Sequence, residues 1–472
     1  MTLDRRALAA LLADEQARFR EANPRSVALA EAGRRSLLHG VPMPWMSRWA
    51  GSVPLYLDGA RGTRVTDVDG HEYVDLALGD TGSMPGHSPE PMVAAVIDRL
   101  QTRGGATTMM PTEDAAIVGA ELQRRWGLPA WQFTLSATDA NRFVLRMCRQ
   151  VQRRPKVLIF QWSYHGTVDE TIAIADAATG EVVPKPGNVG MPVDLHHTTK
   201  VVEFGDLAAI EAALAPGDVA CVLAEPALTN VGMVLPPERV SRSSRDDRDG
   251  PRMTTPFWPA VEALCRETAT LLVYDETHTM NASPGGCVSA WGLSPDAVTM
   301  GKALGAGVPI GAYGLSAELR DRVLADEEGD YFDWGGVGGT LAGSALSLAA
   351  ARATLTEVLT DTAYERMAVA CDRYVAGARA IFAAHGLDWY IVQLGSRAEF
   401  GFVPEPPADG SAAHVAIDEL LDAVVHAALL NRGVMLTPFH NMALFGPATG
   451  EDDVERVLAA LDEVCGLVAA TR

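Results

Sequence analysis

Residues 270–278 read TLLVYDETH, and residues 300–314 read MGKALGAGVPIGAYG. The first stretch is an apolar run of strand length that ends in Asp275 and Glu276. Ligands of parallel α/β sheets bind beyond the carboxyl ends of the strands, so a carboxylate there is well placed to hold a cationic ligand group. The second stretch places Lys302 in a tight, mostly apolar and glycine-rich context. Desolvation makes such a lysine a nucleophile for Schiff-base chemistry.

The chain around these stretches alternates short apolar runs with helical patterns. The apolar runs are WQFTL (131–135), KVLIF (156–160), VACVLAE (219–225) and TLLVYDE (270–276), and helical patterns cover 89–103, 111–126 and 139–152. Buried strands that alternate with helices are typical of a largely parallel sheet in an α/β fold.

Two further segments at the same predicted rim carry candidate binding groups. SATDAN (136–141) follows a predicted strand and opens a helix, which presents backbone N–H groups to an anion such as phosphate. SYHGT (163–167) follows another strand and adds an aromatic ring. A phosphate cradle, a flat aromatic, a carboxylate and a buried lysine are together what pyridoxal phosphate requires. Each piece alone also fits a helix cap or a structural turn, so their order and spacing carry the argument.

Composition excludes several classes of function. The chain of 472 residues has 60 acidic and 39 basic residues, a net charge of −21, so we expect no nucleic-acid or anionic-membrane partner. No run of about 18 apolar residues predicts a membrane span, and the N-terminus is typical of an amphipathic helix, not a signal peptide. The six cysteines lack CxxC spacing, which favours free thiols and a cytoplasmic protein. No metal site is predicted.

With these residues, the chain resembles the class III (ω-) aminotransferases, pyridoxal-phosphate enzymes of fold type I. It is most similar to the branch that contains glutamate-1-semialdehyde aminomutase and the β-amino-acid aminotransferases. The resemblance runs from about residue 15 to the end, and YDETH…PDAVTMGKALGAGVPIGAYG is its most specific element. It implies a mainly parallel seven-stranded central sheet, with a smaller α+β lobe built from the N- and C-terminal segments.

The resemblance also implies the domains and the assembly. Residues 1–75 contribute to the small lobe, 76–330 form the large cofactor-binding domain, and 331–472 form the C-terminal small domain. A homodimer with active sites at the subunit interface is expected. The polar stretch 237–256 is predicted to be a solvated loop, with an active-site lid or interface arm as the alternative.

Individual roles follow from the resemblance. Lys302 forms the internal aldimine and shuttles the α-proton. Asp275 pairs with the pyridinium nitrogen, and a carboxylate there favours the protonated ring that acts as an electron sink. The other implied cofactor contacts are Ser136, Ala137 and Thr138 around the phosphate, Tyr164 stacked on the ring with His165 beside it, Glu225 near the cofactor oxygen and substrate, and Thr340 reaching the phosphate of the neighbouring subunit.

The chain departs from the family pattern at several positions. Ala137 and Asp139 stand where the family usually has Gly and Glu, and the arginine common after the DETH motif is missing. His278 stands where Gln or Met is frequent, near the phenolic oxygen of the cofactor. A histidine there either donates a hydrogen bond or moves protons, or else makes a neutral structural hydrogen bond, and both interpretations stay open.

An amino-acid substrate needs a cation for its carboxylate, and arginine suits this by its bidentate geometry. Arg48 and Arg397 are the candidates, although a surface or structural role is an alternative for each. Trp45 lies at the position where relatives place such an arginine if the register is counted strictly, and it also suits an apolar side pocket.

The predicted activity is a ping-pong aminotransferase that moves an amino group between an amine or amino acid and a keto acid, ketone or aldehyde. The alternative is an aminomutase or an amino-acid racemase or epimerase on the same scaffold. A non-catalytic protein of this fold is a distant third possibility. A nicotinamide dehydrogenase is disfavoured because no GxGxxG opens the first βα turn.

Overall fold

The computed structural model describes residues 3–190, 194–238, 240–242, 253–331, 335–438 and 440–472. The chain divides into two compact units. The first comprises residues 1–90, 358–406 and 416–472, and the second comprises 91–357 and 407–415. The second unit differs at both ends from the predicted domain 76–330.

Specific contacts explain these boundaries. The Leu76 amide donates to the Met435 carbonyl (2.9 Å), and the Leu444 amide donates to the Leu76 carbonyl (2.8 Å), which holds the segment after residue 75 in the first unit. Arg352 Nε donates to Asp114 Oδ1 at 2.9 Å, which holds the segment after residue 330 in the second unit.

A seven-stranded sheet forms the centre of the second unit. Its strands, from edge to edge, are Ala130–Thr134, Gly311–Leu315, Ala297–Met300, Leu271–Asp275, Val219–Ala224, Lys156–Phe160 and Thr199–Val202. Gly311–Leu315 runs antiparallel to both neighbours, and the other paired strands run parallel. The predicted fold is therefore confirmed. Its central strands are buried throughout because both faces of the sheet are covered.

Helices surround this sheet, and a common core includes Val144, Ile159, Leu223, Val273 and Leu315. The helices of the second unit are Glu90–Ile97 (which starts at the boundary), Glu113–Trp126, Ala137–Gln152, Leu207–Leu214, Phe257–Glu267, Gly286–Trp291, Ala317–Leu324, Ala345–Ala353 and Gly410–Val415. Two short antiparallel pairs add Ala173–Ala175 with Val182–Pro184 and Val240–Arg242 with Met253–Thr255.

The first unit is α+β. One sheet contains Leu57–Arg61, Arg64–Asp67, Glu72–Asp75 and Val434–Met435, and another contains Tyr390–Leu394, Arg397–Gly401 and Met442–Leu444. Its helices are Arg5–Ala22, Pro24–Gly33, Asp361–Ala384, Glu419–Leu430 and Glu451–Ala469. Their core includes Leu8, Tyr374, Val424, Phe445 and Val457.

The remaining predictions concern the cysteines, the polar stretch and membrane-spanning helices. All six cysteines are free and buried, as predicted. Within the polar stretch 237–256, residues 239 and 243–252 lie outside the described residues, and the segments 240–242 and 253–255 pair as strands. No helix in the described ranges is long and apolar enough to cross a membrane.

Gly311 provides a test of how closely the sheet approaches the first helix turn. A Cβ there would lie 2.4 Å from Thr134 Oγ1 and 2.5 Å from the Ser136 carbonyl carbon. Overpacking of this kind costs about 1–3 kcal/mol, so Gly311→Ala should lower the urea midpoint measured by circular dichroism. Gly119→Ala is the control because a Cβ at this helical glycine meets nothing within 4 Å. The control should gain about 0.5–1 kcal/mol. Equal midpoints for the two variants would contradict the close approach.

Candidate active site

The carboxyl edge of the central sheet brings most of the predicted site residues of the second unit together. Each lies at or just after the end of a parallel strand, where ligands of such sheets bind. These residues are Ser136 after Thr134, Tyr164 and His165 after Phe160, Glu225 after Ala224, Asp275 at its strand end, and Lys302 after Met300.

Asp275 is a buried carboxylate with three hydrogen-bond donors. Asn141 Nδ2 donates to its Oδ2 at 2.8 Å, His165 Nδ1 lies 3.0 Å from the same oxygen, and the Thr277 amide donates to Oδ1 at 3.1 Å. Burial acts to raise the pKa of Asp275, but the interactions with His165, Thr277 and Asn141 outweigh it and hold the pKa below its ordinary value. The group is therefore an ionised acceptor, fixed in place for a cationic ligand atom.

Asn141 connects the elements around this carboxylate. It lies fully buried on the helix Ala137–Gln152, and its Oδ1 accepts a hydrogen bond from Thr299 Oγ1 at 2.5 Å. Its Nδ2 also donates to the His165 carbonyl at 3.2 Å. Asn141 lies within the SATDAN segment but is not among the residues predicted from the sequence. The usable signal was an amide residue on the apolar face of a predicted helix.

Glu276 has a different role from its neighbour Asp275. Its carboxylate accepts hydrogen bonds from the amides of Val288 (2.6 Å) and Cys287 (3.2 Å) and from the Thr279 hydroxyl. Burial raises its pKa to about 7. These bonds to the first turn of the helix Gly286–Trp291 give Glu276 a structural function.

Lys302 lies in a strained turn and contacts a histidine. Its φ is +40°, in the left-handed region, and its Nζ lies 2.5 Å from Nε2 of the buried His278. One of the two nitrogens must donate and the other accept. The structure thus gives His278 a defined hydrogen-bond partner, and that partner is the amine of Lys302.

The start of the helix Ala137–Gln152 forms a cradle suited to an anion. Ser136 caps the helix, since its Oγ accepts from the Asp139 amide at 3.3 Å. The first amides of a helix have no intrahelical acceptor and favour an anion. A Cβ at Gly301 would lie 2.9 Å from the Ala137 nitrogen, so this glycine lets the lysine turn approach the helix start.

The turn that carries Tyr164 is held from two sides. Gly166 has φ +77°, and a Cβ there would lie 2.1 Å from Thr138 Oγ1, so only glycine fits. Thr138 Oγ1 also accepts from the Thr167 amide at 3.2 Å. On the other side, the Tyr164 amide donates to Glu225 Oε1 at 3.1 Å.

Glu225 is itself anchored. Its Oε2 accepts hydrogen bonds from the Thr229 amide (3.1 Å) and Asn230 Nδ2 (3.0 Å), as well as from the Thr229 hydroxyl. Burial raises its pKa. Glu225 therefore connects the Tyr164 turn to the loop after its own strand.

Four sequence-predicted residues remain, one in the second unit and three in the first. Thr340 is exposed in a turn of the second unit, and Trp45 and Arg48 are exposed in the first. Arg397 is fully buried, and its Nη2 donates to Glu399 Oε2 at 2.9 Å. The roles of all four stay predictions, and Arg397 already has a carboxylate of the protein as its partner.

The residues of the cluster fit pyridoxal phosphate. The helix start offers a cradle that a Cβ at Gly301 would fill, Asp275 offers an ionised carboxylate, and Lys302 offers a primary amine. These are the three recognition elements for the phosphate, the ring nitrogen and the aldehyde of that cofactor.

Comparisons with known proteins identify the family of this chain. The family model "Aminotransferase class-III" matches residues 45–247 and 250–448. A glutamate-1-semialdehyde 2,1-aminomutase of Anaeromyxobacter sp. (strain Fw109-5) is 31% identical over 420 residues, covering 88% of this chain and 91% of the relative.

Solved structures extend the likeness. A glutamate-1-semialdehyde-aminomutase from Pseudomonas aeruginosa PAO1, in complex with PMP, is 44% identical with a TM-score of 0.92, covering 99% of this chain and 100% of its own. A β-phenylalanine aminotransferase from Variovorax paradoxus is 24% identical with a TM-score of 0.82, covering 97% of each chain, and shares the fold. This protein belongs to the class III aminotransferase family, and its cofactor is pyridoxal 5′-phosphate.

Proposed function

We propose that this protein is an aminomutase, which exchanges an amino group and a carbonyl oxygen between neighbouring carbons of one small substrate. The observation that carries the proposal is the likeness over 99% of the chain, at 44% identity, to a protein described as a glutamate-1-semialdehyde-aminomutase. The relative that is 31% identical has the same description. These likenesses favour the aminomutase alternative over the intermolecular aminotransferase that was predicted first. Glutamate-1-semialdehyde is the substrate to test.

When bound, pyridoxal 5′-phosphate supplies an electrophilic aldehyde and an electron sink. The amides at the start of the helix Ala137–Gln152 would bind its phosphate, and Asp275 would keep the ring nitrogen protonated. Tyr164, on its anchored turn, would stack on the ring. These contacts would orient the reacting atoms.

Lys302 is the nucleophile and the proton carrier. Its Nζ removes the proton from the substrate carbon that bears the amino group. It delivers a proton to the neighbouring carbon, which receives the amino group. His278 Nε2 lies 2.5 Å from this amine, within reach to exchange a proton with it.

We further propose that the chain forms a homodimer that works in the cytoplasm, where its six thiols stay reduced. Several large apolar side chains of the second unit are exposed: Ile97, Leu100, Met109, Met110, Ile117 and Leu341. Exposed apolar surface of this kind marks interaction sites. Leu341 adjoins Thr340, the residue expected to reach the neighbouring active site.

The need for an added keto acid distinguishes an intermolecular aminotransferase from an aminomutase. The purified holoenzyme, given glutamate-1-semialdehyde alone, should form 5-amino-4-oxopentanoate at a rate that added keto acids do not change. Lys302→Ala should abolish the reaction, measured by chromatography of the products. Product formation only with a keto acid would establish an intermolecular aminotransferase instead. Loss of chirality without movement of nitrogen would indicate a racemase.

Asp275→Asn should lower kcat about 10²–10³-fold, because a neutral amide no longer stabilises the charge on the ring nitrogen. Steady-state kinetics with saturating cofactor measure the loss. Asp218→Asn is the matched control, since Asp218 pairs with Lys156 (3.0 Å) and Lys200 (2.6 Å) at the opposite end of the strands. An Asp275→Asn enzyme within threefold of the wild type would contradict the role of this carboxylate.

Sedimentation velocity at micromolar concentration should give twice the 50.2 kDa chain mass. Met109 and Met110 are 76% and 70% exposed. The double variant Met109→Asp/Met110→Asp, which places two charges on this surface, should be a monomer. Leu324→Asp serves as control, because Leu324 is also exposed, at the end of the helix Ala317–Leu324. A monomeric wild type, or a doubly charged variant that stays dimeric, would contradict this interface.

A further inference from the structure

The sequence contains four lysines among its 39 basic residues, at positions 156, 185, 200 and 302. Lys156 and Lys200 share Asp218, and Lys302 contacts His278. Lys185 differs from the other three. Among the residues that the structure describes, no carboxylate lies within ion-pair distance of its amine.

Lys185 is partly buried directly after the strand Val182–Pro184. Its amide donates to the Ile172 carbonyl at 3.1 Å, and its Nζ donates to the Ser163 carbonyl. An ammonium group has three donors, so two remain for other partners. Burial lowers its pKa to about 8, while the charge of Glu225 acts to raise it. A desolvated charge is costly unless it is paired, so an anion next to this amine would reduce that cost.

The position of this amine connects it to the active site. Ser163, its carbonyl partner, immediately precedes Tyr164, whose amide is bound by Glu225, and His165, whose ring contacts Asp275. Lys185 therefore lies at the base of the turn that carries the ring-stacking tyrosine. Arg397, a predicted carboxylate ligand, has Glu399 as its partner. Lys185, which is not among the residues predicted from the sequence, is thus a cation that adjoins the site cluster within the second unit.

We propose that Lys185 binds a carboxylate group of the substrate and so selects acidic substrates. This inference rests on the proposed function, since it names the residue that recognises the substrate of that reaction. The plainer role for Lys185 is to anchor the Ser163 turn through one hydrogen bond. The two roles differ in what they predict for charged and uncharged ligands.

Binding to the holoenzyme, measured by calorimetry, distinguishes them. The probes are glutarate, a five-carbon dicarboxylate, and its uncharged diamide glutaramide. Loss of a hydrogen bond between charged groups typically weakens binding at least tenfold, so Lys185→Met should bind glutarate at least tenfold more weakly while its affinity for glutaramide stays unchanged. Lys200→Met, which alters a lysine already paired with Asp218, should bind both probes like the wild type.

The pH dependence gives a second readout. The amine loses its proton near pH 8, so the affinity of the wild type for glutarate should fall between pH 7 and pH 9. Lys185→Arg should remove this fall because arginine stays charged. Glu225 is the charged group that acts on Lys185, and a Glu225→Gln variant that keeps the fall shows that the step belongs to the lysine.

Equal glutarate affinity in Lys185→Met and the wild type would overturn the proposal. A parallel loss of glutarate and glutaramide binding would also overturn it, because it would show that the lysine only supports the turn. The measurement involves no turnover, so its outcome is independent of whether the enzyme needs an added keto acid.

Discussion

The site depends on keeping one carboxylate ionised inside the protein. Burial of Asp275 alone would favour its neutral form, and Asn141, His165 and Thr277 reverse that preference by hydrogen bonding. These donors come from a helix, from the turn after one strand and from the residues after another. The helix, the turn and the strand end must therefore meet correctly for a charge to exist at this position. The connection from Asn141 to Thr299 extends the requirement to the strand that leads to Lys302.

Close backbone approach is the second constraint. Gly301 and Gly311 lie against the start of the helix Ala137–Gln152, and Gly166 lies against Thr138. A side chain at any of these positions would separate the lysine turn or the tyrosine turn from the anion cradle. The departure from the family pattern at Ala137 is compatible with this packing, because the small residues opposite it leave room for one methyl group.

Intermolecular and intramolecular amino transfer use the same groups: an amine that moves protons, an ionised partner for the ring nitrogen and a bound phosphate. What separates the reactions is how the substrate is held between the two half-reactions. Under the proposals above, this depends on contacts around Asp275 and Lys302. They include the contact of His278 with the amine, the anchoring of the Tyr164 turn by Glu225 and the unpaired charge of Lys185 among the described residues.

The sequence by itself determined the α/β fold, the strand ends, Lys302 and the carboxylate pair Asp275 and Glu276, because strand periodicity and the position of a polar residue after an apolar run are local properties of the chain; the role of Asp275 is what the family resemblance implies. The tertiary structure alone decided which of the neighbours Asp275 and Glu276 faces the site. It also revealed Asn141 and Lys185, paired Arg397 with Glu399, and set the boundaries of the two units. Most of these features arise between residues that are distant in sequence, and the pair of Arg397 with Glu399 arises within one buried strand. Packing and hydrogen-bond geometry decide such contacts, and no local pattern encodes them.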